Sequence, residues 1–196
     1  MWDQRYAEDE YVYGTLPNDF LVNAAKELKP DSRILCLAEG EGRNAVFLAE
    51  QGHHVTAVDA SSVGLEKARK LAQQRGVTIE TVVTDLAEFC ITPESWDAII
   101  AIFCHLPPPL RKKVFASAVT ALKPGGLFIL EGYTPKQLEL KTGGPPVAEL
   151  MLSQAILEEE LHGLTFFHLK ELVRPIHEGK LHHGSGAVVQ LMARRP

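Results

Sequence analysis

The segment Ile34 to Asp59, ILCLAEGEGRNAVFLAEQGHHVTAVD, restricts the folds open to this chain more than any other stretch. Apolar Ile34, Leu35 and Leu37 read as a buried strand, and Gly40 and Gly42 follow as a turn. Glycine there lets backbone amides approach a ligand and lets the next helix pack closely. A helical run from Arg43 to Gln51 leads to a second strand ending in Asp59, near the spacing of about 20 residues that separates glycine turn and acid in nucleotide-binding βαβ units. A carboxylate at that strand end can accept both hydroxyls of a ribose.

The alternation continues. Ser32 to Ala38, His54 to Asp59, Ile79 to Thr84, Ala98 to Phe103 and Leu127 to Glu131 are short strand-like runs. Amphipathic stretches at Arg43 to Gln51, Gly64 to Arg75 and Leu110 to Leu122 lie between them. Strands alternating with helices predict a parallel sheet covered on both faces, an α/β doubly wound architecture. Pro124, Gly125 and Gly126 stop the third helix and turn the chain into the fifth strand. A helix is expected from about Val147 to Leu161 on the spacing of Val147, Leu150, Met151 and Leu157. Leu164 to Ile176 and Ala187 to Ala193 are then joined only by HEGKLHHGSG, too short for a crossover helix, so this pair must be an antiparallel hairpin.

Length sets the expectation of one domain over residues 1–196. Within it, 1–16 would be an N-terminal lid, 30–133 the cofactor-binding core, and 134–196 the substrate-side helix and hairpin. A net charge of -5 gives no footprint for nucleic acid or an acidic membrane. The start, MWDQRYAEDE, lacks a basic flank followed by an apolar stretch, and no apolar run reaches a membrane span, so a cytoplasmic protein is expected. Cys36, Cys90 and Cys104, odd in number and widely spaced, read as reduced core thiols. Cys104 and His105 are neighbours, but adjacent strand residues point to opposite faces, which opposes a nucleophile and base pair. No metal is expected: His162, His168, His177, His182 and His183 lack ligand spacing.

Gly40, Gly42 and Ala45 also fit the dinucleotide fingerprint, which keeps an NAD(P)-dependent oxidoreductase open. Against it, no Tyr is followed four positions on by Lys, the usual catalytic pair of short-chain reductases. A third alternative is a protein that binds an adenosyl ligand and catalyses nothing.

Taken together, AEGEGRN after the first strand, Asp59 after the second, TDL at Thr84 to Leu86, LKPGG at Leu122 to Gly126 and the closing hairpin resemble the class I S-adenosylmethionine-dependent methyltransferases. WDQRYAEDEYVYG and PNDFL are similar to the N-terminal segment of the small bacterial tellurite-resistance and thiopurine methyltransferase group. The resemblance implies a Rossmann-like seven-stranded sheet in the order 3-2-1-4-5-7-6, with S-adenosyl-L-methionine across the carboxyl ends of the first strands. It implies that Gly40 and Gly42 lie under the methionine part, that Asp59 holds the ribose hydroxyls, that Asp85 and the Leu86 amide meet the adenine edge, and that Ala38, Glu39, Asn44, Ala60 and Phe103 also belong to the cofactor site. Many members carry an acid at the position of Cys36 and a glycine at that of Ala38; Glu39 could then supply the carboxylate toward the cofactor's amino group.

Acceptor chemistry is expected where later strands end. His105 follows the fourth, Glu131 and Tyr133 the fifth, and Arg174 ends the sixth, where a guanidinium would suit an anionic substrate. Trp2, Tyr6, Tyr11 and Tyr13 crowd a segment too acidic for a core strand and suggest a lid that orders over the cofactor. The partner would be a small-molecule methyl acceptor such as a thiol or a selenium or tellurium oxyanion, handled by a monomer or weak homodimer.

Overall fold

A computed structural model describes residues 2–179 and 182–196. In chain order the elements are α1 (Trp2–Arg5), α2 (Asp19–Ala24), β1 (Arg33–Leu37), α3 (Arg43–Glu50), β2 (His54–Asp59), α4 (Ser62–Gln74), β3 (Glu80–Val83), β4 (Trp96–Ile102), α5 (Pro108–Ala121), β5 (Leu122–Tyr133), α6 (Gln137–Leu140), α7 (Gln154–Glu160), β6 (Thr165–Glu178) and β7 (His182–Arg194). Seven strands form one sheet in the order β3-β2-β1-β4-β5-β7-β6. The first five pair in parallel, while β7 runs antiparallel to both β5 and β6. The expected Rossmann-like architecture and its terminal hairpin are therefore those of the protein.

Alternation along the central strands builds the two layers. Ile34, Cys36, Ala98 and Ile100 face α2, α3 and α4 and join a core with Leu21, Leu48 and Leu65. Leu35, Leu37 and Ile99 face the other way and meet Phe115 of α5 and Leu157 of α7. A strand buried on both faces has no polar side to expose, which is why RILCL reads as continuous apolar sequence. Gly42 starts α3 at φ +88°, and a Cβ there would lie 2.4 Å from that of Ala68. Only glycine allows both that conformation and the close seating of α3 on α4.

Two expectations fail. The helix foreseen from Val147 to Leu161 is a short 3-10 turn (Ala148–Leu150), an extended link, and α7. Met151 and Leu152 are buried in that link, the Leu152 amide donates to the Tyr133 carbonyl at 2.9 Å, and Ser153 restarts the helix as its cap. Tertiary burial over the end of β5 overrode local periodicity. Cys90 is exposed, whereas Cys36 and Cys104 are buried as expected of core thiols.

Candidate functional site

β1 is the switch point of the sheet: from it the chain winds outward through β2 and β3, then returns to place β4 on its other side. Crevices at such points, outside the carboxyl ends of the strands, are where open α/β sheets hold ligands. Backbone strain collects there. Ala38 after β1 and Phe103 after β4 both take left-handed conformations, at φ +50° and +52°. For residues with a Cβ this costs on the order of 1 kcal/mol or more and persists only where surroundings enforce it. The Glu39 amide donates to the Val58 carbonyl at 3.1 Å, and the Phe103 amide to that of Glu131 at 2.7 Å, so neighbouring strands hold both kinks.

Asp59 faces this crevice from the end of β2. It is 7% exposed, and its two oxygens accept the Gly40 amide at 2.9 Å and the Ser61 amide at 2.8 Å. Burial raises its carboxyl above the ordinary range, while the backbone hydrogen bonds of Ser61, Gly40 and Ala60 oppose the rise. A carboxylate has about four acceptor positions, so capacity for a ribose hydroxyl remains. Thr84 donates its amide to the Asp59 carbonyl at 3.0 Å, which ties the TDL turn to the same edge. There Asp85 accepts the Ala87 amide at 2.8 Å, and Leu86 packs into the core beside Ala38.

Glu39, foreseen toward the cofactor's amino group, also has a role within the fold. One carboxylate oxygen accepts the Asn44 amide at 3.0 Å and the Ala45 amide at 2.7 Å, so Glu39 satisfies the orphan donors at the start of α3. Burial, opposed by those two amides and by Arg43, pushes its carboxyl up to about 7. Asn44 is likewise engaged: its side-chain oxygen accepts the Asn18 amide at 2.9 Å.

The residues expected around the acceptor are brought near one another but are bonded into the fold. Glu131 is fully buried and pairs with Arg174; it also accepts Asn18 Nδ2 at 2.8 Å and Gln190 Nε2 at 2.6 Å. Arg174 reaches Glu178 as well, at 3.3 Å, and Arg43 closes the cluster by meeting Glu178 at 2.6 Å. Two acids and two guanidiniums thus neutralise one another between α3, β5 and β6. The expectation that Arg174 would offer its fork to an anion is corrected, because buried carboxylates already occupy it. His105 Nδ1 lies 3.0 Å from the Leu150 carbonyl and Nε2 lies 3.3 Å from the Tyr133 amide. The tautomer protonated on Nδ1 satisfies both, so this imidazole braces β4, β5 and the link before α7. Tyr133 is buried under it, with the rings stacked at 5.7 Å, and packs on Phe103 at 4.6 Å.

Sequence reading gave no role to Asn18 or Glu41. PNDFL carries a visible signal for the first, since Asn18 caps α2 through the Leu21 amide at 2.9 Å. Tyr6, foreseen only as part of a lid, lies against the glycine turn itself: a Cβ on Gly40 would stand 2.7 Å from its hydroxyl. Of the histidines, His177 and His183 approach to 3.5 Å through Nδ1, while Lys180, Leu181 and the side chain of His182 fall outside the described residues. Among the described residues no group of three His, Cys, Asp or Glu could hold a metal ion, and no helix is long and apolar enough to cross a membrane.

Strand order, terminal hairpin and a carboxylate beside the glycine turn at the switch point define the class I methyltransferase architecture. Residues 34–126 match the family model described as a methyltransferase domain. This segment, just under half of the chain, holds the glycine turn, Asp59 and the TDL turn. The chain is 28% identical over 144 residues to the 2-heptyl-1-hydroxyquinolin-4(1H)-one methyltransferase of Mycobacteroides abscessus, covering 71% of this chain and 63% of that protein. It is 29% identical over 136 residues to the tRNA 5-carboxymethoxyuridine methyltransferase of Escherichia coli, covering 62% of this chain and 51% of the relative. The chain thus spans between half and two thirds of these relatives. Among solved structures, TehB from Haemophilus influenzae superposes with a TM-score of 0.74 at 18% identity, over 100% of this chain and 66% of that one. At such identity the likeness carries the fold.

Proposed function

We propose that this protein transfers the methyl group of S-adenosyl-L-methionine to a small-molecule nucleophile. The observation that carries the reading is Asp59, a buried carboxylate fixed by the Gly40 and Ser61 amides at the switch point, with acceptor capacity left for a ribose. In this reading the Gly40 turn and the kinked backbone at Ala38 lie along the methionine part, Asp85 and the Leu86 amide meet the adenine edge, and Phe103 closes the other side. The cofactor supplies an electrophilic methyl on a sulfonium. This chain's residues orient the two reactants and exclude water, which for a soft nucleophile accounts for most of the acceleration.

The acceptor side supports a neutral or soft nucleophile over an oxyanion, because Arg174 and Arg43 are matched against Glu131 and Glu178. Phe103, half-buried and backed by the buried ring of Tyr133, offers aromatic surface there instead. A hydroxylated heteroaromatic acceptor, as named for the Mycobacteroides relative, fits this surface, and so does an aromatic thiol. The domain division into an N-terminal lid, cofactor core and substrate-side hairpin belongs to the same reading, as does a cytoplasmic monomer or weak dimer.

The test is product formation from labelled S-adenosyl-L-methionine across aromatic thiols, hydroxyquinolines, selenite, tellurite and halide. Turnover of the aromatic acceptors is expected; tight binding of a nicotinamide dinucleotide with no response to the adenosyl cofactor would overturn the reading in favour of an oxidoreductase.

A further inference from the structure

Lys67 lies on α4 in the run LEKARK, which reads as an ordinary solvated helix face, yet it is 8% exposed. Lysine is among the residues least often buried, and an ammonium taken from water needs every proton matched. The structure matches them with main chain from one source. Lys67 Nζ donates to the carbonyls of Glu10 at 2.6 Å, Glu8 at 2.9 Å and Tyr6 at 3.5 Å. Its hydrogens go to these carbonyls, so the Glu41 carboxylate, 2.5 Å away and itself buried, supplies charge balance. The other Glu41 oxygen accepts the Tyr13 amide at 3.3 Å, and the Tyr11 hydroxyl donates to the Lys67 carbonyl at 3.0 Å. The segment from Tyr6 to Tyr13 is therefore pinned by contacts centred on the paired residues Lys67 and Glu41.

Those contacts determine where Tyr6 sits. Its ring is 5% exposed and fills a slot between the Gly40 turn and Gly64 of α4, where an added Cβ would come within 2.7 Å of its hydroxyl on one side and 3.0 Å of its ring on the other. Next to it Asp3 accepts at 2.5 Å the hydroxyl of Ser61, the residue whose amide holds Asp59. One end of the segment thus lies against the turn and against Ser61, whose amide holds the carboxylate assigned to the cofactor.

We propose that Lys67 is a positioning residue, an ammonium latch that gathers the carbonyls of the N-terminal segment and so seats Tyr6 as a wall of the S-adenosyl-L-methionine site. The inference rests on the functional reading above for what the site binds, and on the geometry alone for the latch. Lys67 meets the glycine turn through its ion pair with the Glu41 side chain, and the carbonyls it gathers belong to the segment that seats Tyr6, so its route to the cofactor runs through Tyr6. Substituting it should alter cofactor affinity only as far as the segment is released.

The test compares Lys67→Met, Tyr6→Ala and the double variant, with Glu41→Gln/Lys67→Met added so that no lone buried carboxylate is left to unfold the protein. Amide exchange is followed over residues 2–13 in the ligand-free protein, with Ile99 and Ile100 of β4 as reporters of global opening, and S-adenosyl-L-methionine affinity is measured by calorimetry. The latch requires faster exchange in the segment at unchanged protection of Ile99 and Ile100 in Glu41→Gln/Lys67→Met. It also requires about tenfold weaker binding in Lys67→Met and in Tyr6→Ala, the scale of losing one charge-assisted contact. The double variant should bind no more weakly than either single one, because both act by one route. Parent-like protection of the segment, exchange that rises equally in β4, or additive losses in the double variant would overturn the proposal. If the parent itself ignores S-adenosyl-L-methionine, the functional reading fails and the exchange data alone decide the latch.

Discussion

Asp59 and Glu131 are both acids at the carboxyl ends of sheet strands, both buried, and on the page of the sequence they invite the same interpretation. Their partners separate them. Asp59 is held by main-chain amides of Gly40 and Ser61, donors that belong to the turn and cannot swing away. Glu131 is surrounded by side chains of Asn18, Arg174 and Gln190 drawn from distant parts of the chain. The first arrangement leaves a carboxylate preorganised with acceptor capacity to spare; the second consumes it in holding elements together. A strand-end acid keeps acceptor capacity for a ligand or spends it in a structural joint according to who satisfies it, which depends on tertiary contacts rather than on its position in a strand.

The largest effect that sharpens this contrast is expected from Arg174→Met. It leaves Glu131 and Glu178 with one guanidinium between them, and breaking a buried ion cluster from one side costs about 3–5 kcal/mol. Urea unfolding should show that loss as a fall in midpoint; a shift within about 0.5 kcal/mol would mean the cluster is not the joint described here. Next comes Asp59→Ala, which should weaken S-adenosyl-L-methionine binding by about 1.5–3 kcal/mol, the worth of hydrogen bonds to a charged group. Asp85→Ala, exposed and bonded within its own turn, should cost less in the same titration.

The smallest effect concerns pH. Glu39 has its folded carboxyl pushed up to about 7, above its unfolded value of about 4.5. The folded state therefore binds the proton more tightly, so the contribution is fully present below about 4.5 and declines as pH rises through about 7. Allowing for partial exposure, the parent should lose on the order of 1 kcal/mol across that window from this group. Glu39→Gln keeps an acceptor for the Asn44 and Ala45 amides and should flatten that slope. An identical pH profile in the variant would remove Glu39 as its source.

What could be read from the sequence divides along the same line. The five parallel strands, the glycine turn and Asp59 were legible because each rests on a local rule: unbroken apolar runs, helical spacing, a fixed distance from turn to acid. The hairpin followed from loop length. The antiparallel strands are longer than their apolar runs suggested, reaching Glu178 and back to His182, because residues beyond those runs continue the ladder. Glu39, His105 and Arg174 have structural partners that the sequence did not announce. Each has the residue type and place of a functional group, and each is committed to partners 5 to 45 positions away that no local pattern encodes. The break before α7 is a milder case: Ser153 is a recognisable cap, but the apolar period of Val147 to Leu157 ran across it.

One experiment bears most directly on the contrast between the two acids. S-adenosyl-L-methionine is titrated calorimetrically into the parent, Asp59→Ala and Glu131→Gln, with urea unfolding of the same three preparations. The account predicts a crossed result: Asp59→Ala loses cofactor affinity by about 10-fold or more and keeps most of its stability, whereas Glu131→Gln loses about 2 kcal/mol of stability and binds as the parent does. Parent-like affinity in Asp59→Ala together with lost affinity in Glu131→Gln would contradict it, placing the ligand at the cluster and the joint at the glycine turn.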